Sequence, residues 1–542
     1  MATFHSQFRM DMRTDIRVLL LILMAVSLCH CTLSGHQGGV SSVLPPRDQA
    51  LWEPLVRARE PLPADTDLTI TYPYDGSVFP PEMAAPTFRW TDRSTVSTHW
   101  LVVVRCGETQ PAAVYALTDR PRWTPDQATW EAIKAGSVAD PAEVVVHGVR
   151  TKPARTVTSA SRIRISTSRD RVDASIFYRQ VPLPFKTGTR ALRQMKWRLG
   201  DIASYDPPAV VMQNLSTCAS CHQFSNDGRL ISMEMNYRGD SGAHVIAPVG
   251  KTIALSSSHF MTWSDFPKPD LLPPTRGVFA KLSPGGNFMI GTVNEIAFFA
   301  LTNDPAFCQL FFPTYGVLAW YAVDARQFHS LPGADDPAFV QTDPSWSGDE
   351  DYVVFARART RNAYHEDITN IRTRVEEADI QTLNRKYPIQ FDLYRIPFNH
   401  GRGGVPEPLE GASHNGMSNY FARYSPDGRW IVFTRSQSGI MLQPDSELFI
   451  IPATGGQARR MRCNRRRFNS WHSFSPNGKW LLFASKANSQ FTEIFLTHID
   501  QNGMDSPPVC LSRFSDSRFA ANVPEFVNLP ATAIRRIELT AN

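Results

Sequence analysis

The sequence predicts an all-β protein in which an N-terminal β-sandwich is followed by a β-propeller. The 542 residues include 41 Pro and 31 Gly, which indicates frequent turns. No long segment shows the 3.6-residue apolar period of helices, whereas short alternating segments are common. A strand–turn–strand motif also recurs through the second half of the chain. Because this length exceeds one ordinary hydrophobic core, we expect at least two domains.

The first 31 residues predict an export signal. Within residues 1–31, Arg13 and Arg17 precede an apolar segment, 18–28. That segment is shorter than the ~20 residues that cross a bilayer and is typical of a signal peptide or lipoprotein signal. Cys29 and Cys31 are candidates for a lipid anchor, and cleavage near Ser34 is the alternative. We therefore expect contact with a membrane only through such an anchor.

The next segments predict a tether, a β domain and a connector. Residues 32–64 are rich in Gly, Ser and Pro and are typical of a flexible tether. Residues 65–190 contain alternating strands such as Trp100–Val104 and Arg162–Ser166, separated by Pro-rich turns. This pattern favours a sandwich of fibronectin or immunoglobulin type, acting either as a binding module or as a domain packed against the propeller edge. Residues 191–217 connect it to the propeller.

A repeated motif predicts the propeller over residues 218–542. Phe421–Phe433 and Trp471–Phe483 each contain a short strand, a Ser-Pro-Asp/Asn-Gly turn and an alternating apolar strand. Pro fixes φ at the first corner of this turn and Gly accepts the positive φ at its end. Weaker copies begin near residues 224, 282 and 346, and Ala521–Phe526 resembles the opening of a truncated sixth copy. Four-stranded repeats of this kind predict propeller blades, and we expect six.

Cys218-Ala219-Ser220-Cys221-His222 is a C-x-x-C-H motif. Two thiols at this spacing suit thioether bonds to the vinyl groups of a haem, and the next histidine suits the proximal iron position. A dithiol or disulfide pair is one alternative. Zinc is another, but no second C-x-x-C or H-x-x-x-H supplies its remaining ligands. The motif predicts one covalent haem c.

These features resemble those of a known family. The Ser-Pro-Asp-Gly turns, with strands such as Asp392–Pro397 and Glu447–Pro452, resemble the TolB-type β-propeller repeat over roughly residues 215–540. Together with the upstream β domain and the single C-x-x-C-H, the chain is similar to bacterial TolB-like proteins that carry a haem motif and are labelled cytochrome-related. The resemblance implies an exported protein of the periplasm, or one tethered to the outer membrane or cell surface. TolB itself is an interaction protein without a haem motif.

The predicted hairpin register bears on the second axial ligand of the iron. If Ser225 lies opposite Leu230, His222 lies opposite Met233 with their Cα atoms ~5 Å apart. Met233 is then expected to pack against haem and not to bind the far side of the iron. His472, at the equivalent position of another repeat, is the candidate distal ligand. The alternatives are Met417, Met441, His244 or no protein ligand.

Six arginines between residues 459 and 467 precede His472. Among them, Arg465 is a candidate contact for a haem propionate, and the cluster also suits an acidic redox partner. A solvated rim is the alternative interpretation.

Three functions agree with these patterns. The first is an exported mono-haem c-type cytochrome that transfers single electrons or senses redox state while docking a redox or envelope protein. The alternatives are a non-redox envelope scaffold that binds protein or glycan, and a peroxidase-like haem enzyme. We assign no catalytic residue, because no Ser-His-Asp, phosphate-loop or dinucleotide pattern occurs. An electron carrier or binding protein is therefore expected rather than an enzyme. The net charge of +5 is too small for 60.8 kDa to indicate nucleic acid.

Overall fold

The computed structural model describes residues 41–57, 67–107, 112–188, 190–270, 272, 274–300, 302–307, 310–360, 377–386 and 388–540. The predicted signal segment, with Cys29 and Cys31, lies outside these residues. Among the described helices, none is long and apolar enough to cross a membrane.

The N-terminal domain is a two-sheet sandwich. Its elements are β1 (Ser41–Val43), α1 (Pro46–Arg57), β2 (Leu68–Tyr72), β3 (Ser77–Phe79), β4 (Phe88–Asp92), β5 (His99–Cys106), β6 (Ala112–Thr118), β7 (Arg122–Trp123), α2 (Gln127–Gly136), β8 (Ala142–Arg150) and β9 (Thr156–Thr167). One sheet has the order β1-β6-β5-β8-β9-β3 and the other the order β2-β4-β7. Alternate residues such as Trp90, Val104 and Val144 meet between the sheets together with Trp130 of α2. The predicted sandwich is confirmed.

Part of the predicted tether belongs to this domain. Helix α1 lies within residues 32–64, and its Trp52 and Val56 pack against Leu101 and Val103 on the outer face of the larger sheet. The spacing of four residues places both side chains on one face of the helix. That face covers apolar residues of the sheet that would otherwise contact water.

The remaining strands form the propeller. They are β10 (Ser175–Pro182), β11 (Lys196–Gly200), β12 (Ala209–Gln213), β13 (Ala219–Phe224), β14 (Leu230–Met235), β15 (Ala243–Pro248), β16 (Thr252–Leu255), β17 (Phe260–Thr262), β18 (Val278–Leu282), β19 (Phe288–Ala300), β20 (Leu310–Ala322), β21 (Gln327–Ser330), β22 (Phe339–Trp346), β23 (Tyr352–Arg359), β24 (Asp392–Pro397), β25 (Glu407–Pro408), β26 (Ser418–Tyr424), β27 (Trp430–Ser436), β28 (Glu447–Pro452), β29 (Arg459–Arg460), β30 (Asn469–Phe474), β31 (Trp480–Ser485), β32 (Glu493–His498), β33 (Val509–Cys510), β34 (Phe519–Val527) and β35 (Arg536–Leu539). Helices α3 (Phe185–Gly188) and α4 (Glu377–Lys386) are short, and 3₁₀ turns occur at Leu192–Gln194, Ser257–His259, Trp263–Asp265, Asn399–Gly401 and Ser512–Phe514.

Most of these strands pair as four-stranded antiparallel units, whereas β16 and β35 pair with each other in parallel. The units that follow the haem motif are β13-β14-β15-β17, β18-β19-β20-β21, β22-β23-β24-β25, β26-β27-β28-β29 and β30-β31-β32-β33. The first strand of each unit contacts the first strand of the next, from β13 through β18, β22 and β26 to β30. The first strands therefore lie side by side at the centre of the arrangement.

A further unit joins the two ends of the chain. Strand β34 pairs with β10, which continues into β11 and β12. Strand β34 also contacts both β30 and β13, so it closes the ring of inner strands. Ala521–Phe526 is thus the inner strand of a unit whose other strands precede the haem motif, and does not open a truncated sixth repeat. Closure in this way pairs strand edges that would otherwise be exposed.

This pairing changes the predicted domain boundaries. Strand β10 falls in residues 65–190, predicted as sandwich, and β11 and β12 fall in the predicted connector, 191–217. The propeller therefore begins near residue 175 and not at residue 218. Strand β10 alternates like its sandwich neighbours, so its own residues do not show which sheet it joins.

Each inner strand contains a bulge at the same distance from its end. One extra residue interrupts the pairing of β13, β18, β22, β26, β30 and β34. In the last five strands the bulge carries a residue with positive φ: Phe279, Asp343, Phe421, Trp471 and Val523. In β13 the equivalent position is Cys221, four residues before the turn serine Ser225. Bulges redirect side chains, and here they do so around the axis.

Candidate functional site

A cavity of about 440 Å³ lies where the inner strands meet. Every inner strand contributes lining residues, and the hairpin turns contribute Asn226, Pro284, Pro426 and Pro476. The cavity therefore lies on the ring axis and reaches the face that carries the turns.

The lining changes from apolar to charged toward the turns. Positions four residues before the turn carry Phe279, Phe421 and Trp471, and positions two residues before it carry Lys281 and Arg423. Within a strand, residues two apart point to the same side. The repeat thus builds an apolar layer and, nearer the turns, a charged layer.

The haem motif lies at this cavity. Cys221 and His222 both line it, and Cys218 is exposed just before β13 begins. Neighbouring strand residues normally point to opposite faces, but the bulge in β13 lets these two reach the same space. Burial, followed by the negative charge of Glu234, raises the pKa of Cys221 to about 12. The Cys221 side chain is therefore a neutral thiol at physiological pH.

His222 is buried, and its ring nitrogens make no hydrogen bond of standard geometry with a described residue. Its exposure is 1%, and the backbone of Phe177 and of Val523 lies near the ring without reaching that geometry. Phe177 meets the ring edge-on at a centroid distance of 4.7 Å, and the backbone of Val523 lies beside it. Burial lowers the pKa of His222 to about 3, and the positive charge of Lys281 adds to this shift. The imidazole is neutral and keeps a lone pair for a metal.

The predicted pairing of His222 with Met233 is confirmed. The two residues are opposite each other in the β13–β14 ladder, and Ser225 meets Leu230 through its backbone N–H. Met233 is buried in the core beneath the motif, close to Phe177. A ligand on the far side of an iron bound to His222 must come from another strand.

His472 lies at the equivalent position in another unit. Both histidines are three residues before a turn serine, and both line the cavity. His472 Nε2 lies 3.0 Å from the carbonyl oxygen of Val432, so this nitrogen is the donor. Nδ1 then carries the lone pair and makes no hydrogen bond of standard geometry with a described residue, although the backbone of Phe421 lies close to the ring. Burial, followed by the charge of Arg423, lowers the pKa of His472 to about 3.

The other ligand candidates lie elsewhere. Met417 and Arg465 line a separate cavity of about 690 Å³, and the Arg465 guanidinium lies 3.8 Å from the ring centroid of Tyr74. Both residues precede an inner strand, whereas the axial cavity lies toward the strand ends, so neither meets the motif. Met441 is buried in the core, and His244 Nε2 hydrogen-bonds the hydroxyl of Ser232 at 2.8 Å.

Sequence reasoning missed the charged residues of the cavity: Arg179, Lys281, Arg423 and Glu525. Lys281 and Arg423 occupy the same position relative to their turns, so aligning the repeats identifies both. Arg179 comes from β10, which carries no repeat motif, and only the closing strand pair brings it to the axis.

The donors at the motif fit a covalent haem. In the described part of the chain, no three His, Cys, Asp or Glu side chains converge as metal ligands. Haem iron needs only axial ligands from the protein, because the porphyrin supplies the other four nitrogens. His222 would supply one axial nitrogen, the unpaired thiols of Cys218 and Cys221 would supply the thioether bonds, and the adjoining cavity has an apolar layer.

No family model matches the chain, and no curated protein matches it significantly. Among solved structures it is similar to TolB from Acinetobacter baumannii, with 14% identity, a TM-score of 0.40, and coverage of 74% of this chain and 86% of that chain. The corresponding values are 12%, 0.31, 67% and 94% for Kuenenia stuttgartiensis hydrazine synthase. They are 12%, 0.33, 66% and 100% for the periplasmic gluconolactonase of Pseudomonas aeruginosa. Likenesses this weak assign no family or activity. The chain is defined by its own strand pairing as a β-sandwich joined to a β-propeller.

Proposed function

We propose that this protein is an exported mono-haem c-type cytochrome built on a β-propeller, which transfers single electrons or senses redox state while docking a partner protein. One observation carries the proposal. The buried imidazole of His222 makes no hydrogen bond of standard geometry with any described residue, although the backbone of Phe177 and of Val523 lies close to it, and it directly follows Cys221 at the edge of the axial cavity. An unsatisfied buried polar group of this kind costs about 1–3 kcal/mol, and a metal ligand bond would remove that cost.

The roles of the chain follow from its chemistry. Cys218 and Cys221 would each add across one vinyl group, with sulfur bonding to one carbon and the thiol hydrogen passing to the other. His222 would hold the iron through one nitrogen. The attached haem supplies a one-electron redox centre. The apolar layer around Phe279, Phe421 and Trp471 would exclude water from it and so influence its reduction potential.

The location and assembly of the protein follow from this proposal. Covalent attachment of this kind takes place outside the bacterial cytoplasm, so residues 1–31 would direct export to the periplasm or the cell surface. Cys29 or Cys31 would then carry any lipid anchor. We further propose that the ring has six blades, supported by the contacts of β34 with both β30 and β13. The expected partner is a redox or envelope protein.

The test is haem retention after acid-acetone extraction of protein expressed with a haem-maturation system. We expect haem to stay with the polypeptide and to give a sharp α band on reduction. Cys218→Ala with Cys221→Ala should abolish both signals, because no thioether can form. Cys106→Ala, which removes a half-buried thiol of the sandwich, is the control and should change neither. Complete extraction of haem from the native protein would contradict the proposal.

The second candidate is a propeller that binds a protein or glycan without redox chemistry. The edge-on contact between His222 and Phe177 favours it, since a buried histidine packs in this way without any metal. A protein that folds and stays free of haem in the same expression experiment would support this candidate.

A further inference from the structure

We infer that the axial cavity binds carboxylate groups through Arg179, Lys281 and Arg423. The carboxylates belong either to the propionates of the haem proposed above or to a free organic acid with an apolar body. These cations line the cavity whether or not haem is attached, so carboxylate binding can be tested separately from haem attachment.

Arg179 is a buried cation without a counter-ion. Its exposure is 3%, yet no carboxylate forms an ion pair with it among the described residues. Nη2 lies 3.7 Å from the sulfur of Met195, the guanidinium lies 5.9 Å from the ring centroid of Trp197, and Nε has no hydrogen-bond partner within the described structure. Burying an unpaired charge is costly, and an anion entering the cavity would offset that cost.

Lys281 and Arg423 face the same space from two other units. Lys281 makes no ion pair with any described residue. Arg423 Nη1 lies 3.8 Å from Asp343 Oδ1, but that carboxylate also accepts the backbone N–H of Phe421. Burial lowers the pKa of Lys281, and the charge of Arg423 lowers it further. The two cations therefore repel each other across the cavity, which an anion between them would relieve.

The acidic residues around the axis neutralise these cations only in part. Three carboxylates lie near them, those of Glu234, Asp343 and Glu525. Asp343 pairs with Arg423, and Glu234 accepts hydrogen bonds from the Ser220 hydroxyl at 2.5 Å and from the Phe279 backbone at 3.1 Å. Among the described residues that line the cavity, Glu525 is the one carboxylate. Burial raises the pKa of Glu525 to about 7, so it carries only part of a charge at neutral pH. Three cations and one partly charged carboxylate therefore line the cavity itself.

The layering of the cavity specifies the rest of the ligand. The apolar layer formed by Phe279, Phe421 and Trp471 lies deeper, and Lys281 and Arg423 lie nearer the turns. Arg179, which is opposite Asn522 in the ladder with β34, lies at the level of the apolar layer. Guanidinium groups bind carboxylates through two parallel hydrogen bonds. A flat apolar body that ends in carboxylates matches both layers. Haem has this form, as do smaller aromatic acids.

The experiment uses the full mature chain with Cys218→Ala and Cys221→Ala, so that no porphyrin is attached. Binding of iron protoporphyrin IX is compared with binding of its dimethyl ester, in which the propionates are neutral, and benzoate is titrated separately. Each binding measurement is repeated on a cavity variant, in which Lys281→Met and Arg423→Gln are added to the two cysteine substitutions. The control replaces two exposed cations instead, Lys251→Met with Arg229→Gln.

If propionates are the ligand, the acid porphyrin binds at least about tenfold more tightly than its ester. That preference then disappears with Lys281→Met and Arg423→Gln but persists in the control. If a free acid is the ligand, benzoate binds with the same dependence on these two residues, and the porphyrins show no preference. Either result supports the inference.

Equal binding of every probe to the cavity variant and the control would overturn the inference. Haem resistant to extraction would still support the proposed function in that case, so the two failures are distinguishable. Should the double variant fail to fold, Arg423→Gln alone gives the same comparison with a smaller expected loss, because this side chain is only half-buried.

Discussion

Burial sets the charge states of the residues that matter at the axis. His222, His244 and His472 each have a pKa lowered to about 3, with burial as the main cause. Their rings therefore stay neutral over the whole physiological range. Neutral imidazoles can donate a lone pair to a metal but cannot themselves attract an anion. The proposed metal binding and the proposed anion binding would therefore use different residues, the histidines for metal and the cations Arg179 and Lys281 for anions.

Glu295 is another group whose pKa is shifted by burial, and this shift leads to a prediction about stability and pH. It is 5% exposed, and burial raises its pKa from 4.5 to about 7, although Thr275 and the backbone of Arg276 donate hydrogen bonds to it. The folded state therefore holds this proton more tightly than the unfolded state. Its stabilising effect is complete below pH 4.5 and is lost as the pH rises to about 7.

Glu295→Gln removes this proton exchange while keeping an acceptor and a donor at the site. Between pH 4 and 8, we expect the free energy of unfolding of the variant to rise by about 3 kcal/mol relative to wild type. Urea unfolding of both proteins across this range measures the difference. If the free energies of unfolding of the two proteins changed with pH in parallel, Glu295 would not bind its proton more tightly in the folded state than in the unfolded state.

At the scale of the element, the repeated turn is stabilised by side chains as well as by Pro and Gly. The Ser425 hydroxyl donates to Asp427 at 2.5 Å and accepts the backbone N–H of Trp430 at 3.0 Å. Ser225, Ser347 and Ser475 make the same two bonds in their own turns. The serine thus ties both ends of the hairpin together, which explains its recurrence.

Ser425→Ala should lower the free energy of unfolding by about 1 kcal/mol, because both hydrogen bonds are lost and the hairpin geometry is retained. Chemical denaturation of the variant and the wild type provides the measurement. Ser512→Ala, at an exposed serine, is the control and should change stability by less than about 0.5 kcal/mol. Equal effects of the two substitutions would mean that the turn serine has no special role.

At the scale of the molecule, the sandwich and the propeller are joined by specific polar contacts. Asp170 accepts a hydrogen bond from His498 Nε2 at 2.7 Å, and its carbonyl accepts one from Trp480 Nε1 at 3.1 Å. The Tyr72 hydroxyl accepts the backbone N–H of Cys510 at 3.0 Å. Apolar residues of both domains also share one core. We therefore expect the two domains to unfold together.

Calorimetry of the wild type should show one transition for the described domains. Tyr72→Phe should shift it to lower temperature, with a loss of about 1–3 kcal/mol, because the buried backbone N–H of Cys510 loses its partner. Tyr352→Phe is the control, since that side chain is 40% exposed. Two well-separated transitions in the wild type would contradict the coupling of the domains.

Local patterns in the sequence determined the all-β class, the Ser-Pro-Asp-Gly hairpins and the register that sets His222 opposite Met233. These features depend on strand alternation and on turn chemistry within a few residues, so they are readable from the chain itself. Equivalent positions of His222 and His472 follow from the same repeat.

Only the tertiary structure decided which distant strands meet. Strand β34 pairs with β10 across more than three hundred residues, and this brings Arg179 to the cavity. The tertiary structure also places Arg465 over the ring of Tyr74. Arg465 therefore does not reach the C-x-x-C-H motif. The alternating sequence of a strand predicts that it belongs to a sheet, but it does not predict which strand it pairs with. Every neighbouring strand offers the same backbone hydrogen bonds. The closing pair, and with it the charge of the axial cavity, is therefore set by packing of the whole ring.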